Sequence, residues 1–317
     1  MATHGATAHV SNLPDIFAAQ ANKKSPGLTT LAWRRFRRDK LAMAGAGVLL
    51  VLSLTAIFAT PLAENVIRFA PEKIDPLYKL KMPGWQKTPE LPVHWLGTDE
   101  LGRDNLVRIV FGAQVSLFIS VLTVALTLTI GTISGALAGF FGGTVDTIIT
   151  RLIDVLLAVP GFFLLVMVSV VFRPPWWALA LVIASISWMG VARLVRGEFL
   201  ALKARDFVLA ARTVGAVDGR IIFRHILPNA TSPIIVAATL QIGGVILLET
   251  ALSFLGLGVQ PPTPSWGNML TNAKQFMDSE ATAIFIFIPG FFIFITVLAV
   301  NLMGNGLRDA LDPRLKQ

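Results

Sequence analysis

Reactive side chains are sparse in this sequence, and their spacing argues against catalysis. The four histidines, His4, His9, His94 and His225, never stand at the H-E-x-x-H spacing that places two imidazoles on one helix face for zinc. Cysteine is absent, so neither a thiolate metal site nor a disulfide can form. No G-x-S-x-G elbow offers a serine nucleophile. No G-x-x-x-x-G-K loop is present to cradle a phosphate, so ATP hydrolysis by this chain itself is not expected. The expectation is a chain with no catalytic residue, no metal and no cofactor of its own.

What remains are isolated charges in apolar surroundings. Glu249 lies inside an apolar stretch. An acid at mid-membrane costs about 2.5–3.5 kcal/mol on insertion scales, so it must face protein or a water-filled cavity. It is either a pathway residue, a buried acid hydrogen-bonded to neighbouring helices, or one close enough to the outer interface to be wet. Arg151 and Asp154, with Asp146 before them, read as an interfacial charge network that orients a helix, or as a gate.

The elements that position these groups are membrane spans. Hydrophobic residues make up 54% of the 317, only 15% are charged, and mean hydropathy is +0.67. A soluble domain carries roughly 25% charge, so bilayer rules apply. Six apolar runs fall near 41–60, 113–140, 152–172, 176–195, 232–257 and 283–303. Residues 1–30 read as a flexible polar tail, and residues 31–317 as one transmembrane domain. The first run is read as an uncleaved helix rather than a signal peptide, because the polar stretch before it is too long. Pro160-Gly161 is expected to kink the third span. Trp176 and Trp177 suit a tight hairpin at interface depth. Gly131, Gly135 and Gly139 form a small-residue stripe for close helix approach.

Charge distribution orients the chain. Of the 27 Lys and Arg, eighteen fall in residues 1–40, 141–151, 196–231 and 304–317 together with Arg193. Basic residues favour the cytoplasm, so both termini and the 196–231 loop are expected there, with 61–112 as an extracytoplasmic loop. The net charge of +8 is therefore a topology signal, and nucleic acid is not an expected partner; membrane lipid is.

The stretch Asp206–Asn229 is the most organised polar segment. Asp206 suits an N-cap; Phe207, Ala210, Ala211 and Val214 share one helical face; Gly215 suits a left-handed C′ position. Asp218 suits a second N-cap, and Pro228 is expected to end the second short helix. In the outer loop, Gly97, Thr98, Asp99, Gly102, Arg103 and Asp104 indicate turns and capping. Pro261, Pro262 and Pro264 with Trp266 suggest a rigid loop at the membrane edge.

The spacing A-A-x-x-x-G then L-P, from Ala210-Ala211 through Gly215 to Leu227-Pro228, resembles the E-A-A loop of ATP-binding-cassette importer permeases. Leu209 stands where that family often has Glu, and His225 where Ile is usual. The H-I-L-P-N variant is similar to the peptide-transport branch. H-W-L-G-T-D-E-L-G-R-D (94–104), the run 142–160 around the third span, E-T-A-L-S-F-L-G-L-G-V-Q-P-P-T-P-S-W-G (249–267) and L-R-D-A-L-D-P-R (307–314) resemble, in order, segments of the C-type permease of dipeptide and oligopeptide importers.

That resemblance implies an all-α, type I importer permease fold with six transmembrane helices in a bacterial plasma (inner) membrane. It implies a non-enzymatic subunit forming half of a peptide pathway, with a second, different permease, two ATPase chains that use ATP and Mg, and an extracytoplasmic binding protein. Leu209, Ala210, Ala211, Gly215, Asp218, His225 and Pro228 would form the loop that docks into the ATPase, and Glu249, Arg151 and Asp154 are candidates for pathway or gate. Nickel or glutathione import by the same family is an alternative. So is an ion-driven secondary carrier, which would share a lone intramembrane acid.

Overall fold

Lipid leaves backbone polar groups no partner but one another, and the chain answers with helices throughout. A computed structural model describes residues 28–274 and 280–311. The expected tail lies outside those residues except for its last three, and so do Asp312, Pro313 and Arg314 of the C-terminal motif.

A short amphipathic helix, α1 (Leu28–Phe36), precedes α2 (Lys40–Ile57). Asp39 caps α2, its Oδ1 accepting from the amides of Leu41 and Ala42 at 2.9 and 3.1 Å. Helical turns over Ala59–Pro61 and Leu62–Ile67 and a mostly irregular segment lead to α3 (Asn105–Phe141). α4 (Gly143–Leu157) and α5 (Gly161–Phe172) form a broken pair bent by 76°. α6 (Leu179–Lys203), the short α7 (Asp206–Thr213) and the continuous α8 (Asp218–Phe254) follow. α9 (Trp266–Lys274) and α10 (Glu280–Leu311) complete the fold. Among the described residues five helices are long and apolar enough to cross a membrane, or six if the bent α4–α5 pair is one span.

Several helices outrun their apolar runs. α3 starts at 105 rather than 113, and α10 ends at 311 rather than 303. Hydropathy marks only the part of a helix suited to hydrocarbon; capped polar ends carry the same helix further. The kink expected at Pro160-Gly161 is a full break, because Pro160 offers no N–H and its ring excludes the preceding turn.

The bundle is organised around α3 and α6, which pack most extensively and run parallel. The glycine stripe is the reason they can approach. A Cβ at Gly135 would stand 2.4 Å from the Ala192 carbonyl, and one at Gly139 would stand 2.7 Å from Phe199 Cβ. Phe36, Ala42 and Ala310 pack together, so the two described chain ends share one end of the bundle. Helix direction puts α7 at that end too. The loop 62–104, the α5–α6 hairpin and the segment after α8 occupy the other. Large side chains such as Leu50, Ile133, Phe163 and Phe291 remain exposed, as a chain set among lipid and other helices requires.

Candidate functional site: the loop helix between α6 and α8

α7 is a two-sided element. Val208 is fully buried, with Ala211 and Ala216 packed partly behind it, against Phe140 of α3, Val195 and Phe199 of α6 and Ile221, Ile226, Ala230 and Ile234 of α8. The opposite side carries Phe207, Leu209, Ala210 and Val214, all exposed, with Val217 and Phe223 of the next turns. The face expected from spacing is therefore split: Phe207, Ala210 and Val214 point outward, while Ala211 turns toward the core.

A Schellman turn closes α7. The amide of Ala216 bonds the carbonyl of Ala211 at 3.0 Å, and that of Gly215 bonds Arg212 at 2.9 Å. Gly215 has φ +81°, the left-handed geometry that other L-residues resist. The caps differ from expectation. Arg205 and Val217 hold the N-cap positions without a side-chain capping bond, and Asp206 and Asp218 are each one residue inside, in the first turn. They face the first-turn amides as charges rather than as caps.

Pro228 does not end the second helix. α8 runs from Asp218 to Phe254 in one piece. Pro228 has no N–H and would crowd a carbonyl of the preceding turn. The helix widens to a π pattern over Ile221–Ile226, where the amide of Leu227 reaches back to Ile222, and so passes the obstruction. His225 is half-buried in this stretch, and its carbonyl accepts from Asn229 Nδ2 at 2.6 Å.

Phe140 ties α7 to the bundle. Its ring is buried, with Lys203 Nζ 5.5 Å and the Arg212 guanidinium 5.6 Å from its centroid. Lys203 also donates to the Phe140 carbonyl. No local pattern in the sequence links residues 140, 203 and 212; the only hint is that Phe140 directly follows the glycine stripe.

The charges near α4 divide. Asp154 pairs with Arg193 at 2.6 Å, and Arg196 grips Asp146, with Nη2 to Oδ2 at 2.7 Å. Both bonds fasten α4 to α6. Arg151 is exposed and, among the described residues, makes no ion pair with either acid, which departs from the grouping expected from sequence. Glu249 is fully buried in α8, accepting from Ser253 Oγ at 2.7 Å and from Ser116 Oγ of α3 at 3.3 Å, with Ser265 alongside.

At the opposite end, the outer-loop residues come together as one buried knot. Asp99 accepts from the amides of Leu101 and Arg103 and from Arg103 Nε at 2.7 Å, and it forms an ion pair with Arg108 Nε at 3.3 Å. Thr98 accepts from the Lys81 amide and donates to the Tyr78 carbonyl. Asp104 caps α3 through the Val107 amide at 2.8 Å and bonds His94 Nδ1 at 2.8 Å. His94 stacks on Phe69 and Trp85, a role the sequence reading did not assign. Gly102 has φ +77°, and a Cβ there would meet the Asp75 carbonyl at 1.9 Å. Burial pushes the Glu100 carboxyl up, with Asp99 adding to the effect and Arg103 opposing it. Among the described residues no group of three or more His, Asp or Glu is placed to hold a metal.

Residues 131–317 match the family described as binding-protein-dependent transport system inner membrane component. Residues 27–83 match the N-terminal transmembrane domain of oligopeptide transport permease C. The chain is 38% identical to the dipeptide transport system permease protein of Bacillus subtilis over 301 residues, 95% of this chain and 90% of that protein. It is 39% identical to the oligopeptide transport system permease protein of the same organism over 300 residues, 95% and 94% of the two chains. Against the glutathione transport system permease protein of Escherichia coli O6:K15:H31, identity is 43% over 289 residues, 90% of each.

Proposed function

Because the chain belongs to the binding-protein-dependent transport system inner membrane component family, and is thus a multi-pass inner-membrane permease subunit of an ATP-binding-cassette importer, we propose that it imports peptides and is driven through α7. It pairs with a second permease, receives substrate from an extracytoplasmic binding protein and docks two ATPase chains that supply ATP and Mg. Both termini and α7 lie in the cytoplasm. Family membership sets aside the ion-driven carrier. The substrate class rests on the relatives' names, which specify dipeptide, oligopeptide and glutathione transport.

The observation that carries the docking reading is the outward face of α7. Phe207, Leu209, Ala210 and Val214 are exposed on a helix whose other side is fixed by Val208 and whose end is locked by the Gly215 turn. A rigid, largely apolar ridge with small residues suits insertion into a groove. Leu209 fills the place of the family's Glu with an apolar contact, so docking here depends on burial more than on a salt bridge. Gly97, Thr98, Asp99, Gly102, Arg103 and Asp104 serve as the scaffold of the face that receives the binding protein. Arg151, exposed on α4, and Asp154 are gate candidates beside the loop.

The test is reconstitution of the four-component membrane complex in proteoliposomes with its binding protein, comparing wild type with Ala210→Glu. The expected result is an inserted, folded chain that no longer retains the ATPase subunits or takes up peptide. Undiminished peptide uptake by the variant overturns the docking reading.

A further inference from the structure

At the end of the bundle opposite α7, a cavity of about 380 Å³ opens between the last turn of α5 and the segment that follows α8. Its walls include Ser169, Arg173, Gly256, Gly258 and Gln260. This volume lies within the range of small-molecule sites. The polar groups around it belong to neither the α7 ridge nor the outer-loop knot.

Arg173 ends α5 in the left-handed region, φ +41°, with its amide bonded to the Ser169 carbonyl at 3.0 Å. Its guanidinium has no acidic partner among the described residues. Ser169 Oγ is buried, and it too has no hydrogen-bond partner there. A hydroxyl in an apolar helix ordinarily bonds its own preceding turn; this one has no such bond and sits just behind the cavity surface, within a rotamer change of it. The facing wall is braced. Gln260 Nε2 donates to the carbonyls of Gly256 and Gly258 at 2.9 and 3.1 Å. Ser253 Oγ accepts from the Val259 amide at 3.1 Å while donating to Glu249, and Asn268 Nδ2 holds the carbonyls of Val259 and Thr263. Glu249 thus acts on the cavity indirectly, by fixing the strand of chain that walls it.

From this geometry we infer that the cavity is a subsite for the terminal carboxylate of a transported peptide, gripped by the Arg173 fork and the Ser169 hydroxyl. A planar guanidinium matches a carboxylate in two parallel bonds, and both groups are donors. The inference rests on the peptide-import reading, and it explains how one permease serves peptides of differing sequence: the chain end is the group they share. Gly256 and Gly258 let backbone approach the ligand, and a grip on the terminal carboxylate does not depend on residue type.

The test uses the full chain in phosphatidylcholine nanodiscs and, separately, the complete complex in proteoliposomes. The probes are dialanine, dialanine amide and glutathione. The nanodisc titration is expected to show saturable binding of dialanine, about tenfold or more tighter than its amide, as loss of a charge-assisted bidentate pair implies. Arg173→Gln is expected to erase that preference, Arg173→Lys to keep part of it, and Ser169→Ala to weaken the acid alone. Equal binding of acid and amide by wild type, absence of saturable binding, or an acid preference that survives Arg173→Gln overturns the subsite. So does retention of phosphatidylglycerol that depends on Arg173 and displaces dialanine, because the site then belongs to a lipid headgroup. Peptide uptake by the wild-type complex separately tests peptide import: acid-selective binding without uptake of dialanine or glutathione sinks that reading and not the cavity's chemistry.

Discussion

The guanidinium of Arg212 on α7 lies 5.6 Å from the ring centroid of Phe140 at the end of α3, with Lys203 at 5.5 Å from the same ring. One buried ring therefore joins the loop helix to the two central helices. A displacement of α7 meets α3 and α6 through this contact before it meets lipid. Arg212→Gln removes one cation–π interaction of about 0.5–1 kcal/mol. Amide exchange across 207–214 is expected to quicken by roughly twofold to fivefold. Exchange unchanged from wild type would show that Val208 alone anchors α7.

Ala210 and Ala211 are adjacent in sequence yet separate in consequence. Ala210 is exposed and Ala211 is packed against the core formed by Phe140, Phe199 and Ile221. Ala210→Glu is expected to leave thermal unfolding of the purified chain nearly unchanged while abolishing retention of the ATPase. Ala211→Glu places a charge against apolar neighbours and is expected to destabilise the loop by about 2 kcal/mol or more. Unfolding curves and co-purification on the same preparations separate the two outcomes.

Gly215 and Gly102 differ in why they are glycine. A Cβ at Gly215 meets nothing within 4 Å, so only its φ of +81° opposes substitution. Gly215→Ala should cost about 1–2 kcal/mol, and Gly215→Asn less, with coupling largely kept. At Gly102 the added Cβ collides with the Asp75 backbone, so Gly102→Ala is expected to open the outer loop to protease. Intact resistance of 62–104 in that variant would contradict the packing.

How much of this was legible follows from the range of each signal. The spans, the glycine stripe, the break at Pro160-Gly161 and the turn at Gly215 are local, written in apolar runs and in residues with restricted or permissive backbones. The caps at Asp206 and Asp218 shifted by one because both positions place a carboxylate near the same free amides. Continuity through Pro228 was hidden because a π turn has no composition of its own. Proximity in sequence puts Arg151 beside Asp146 and Asp154, yet the partners that select the two acids, Arg193 and Arg196, come from α6, which local spacing does not show. Phe140 with Arg212 and Ser116 with Glu249 are joined only by tertiary packing.

Glu249 makes a case for neutral substitution. Its oxygens accept from Ser253 and Ser116 inside the bundle. Glu249→Gln keeps an acceptor and adds a donor, so peptide uptake and the braced segment after α8 are expected to persist. Glu249→Leu leaves buried hydroxyls unmatched at about 1–3 kcal/mol each and should loosen that segment. Loss of uptake in the Gln variant with unchanged unfolding would instead make the charge itself part of the pathway.

Glu100 gives the outer loop a pH dependence of definite sign. It is partly buried, faces Asp99 as a like charge and bonds Arg103 Nη2 at 3.1 Å, with Arg108 nearby. Burial comes first among the causes that raise its folded-state value above the usual 4.5. The folded loop therefore binds the proton more tightly than the unfolded chain. Stability is highest below the unfolded value and falls as pH rises from there through the folded one. Glu100→Gln still accepts from Arg103 and does not titrate. It should flatten this part of the pH profile and raise loop protection at neutral pH. The check is protease resistance of 62–104 in wild type and variant at mildly acidic and neutral pH. A wild-type loop that gains protection as pH rises through this window would reverse the sign and overturn the assignment.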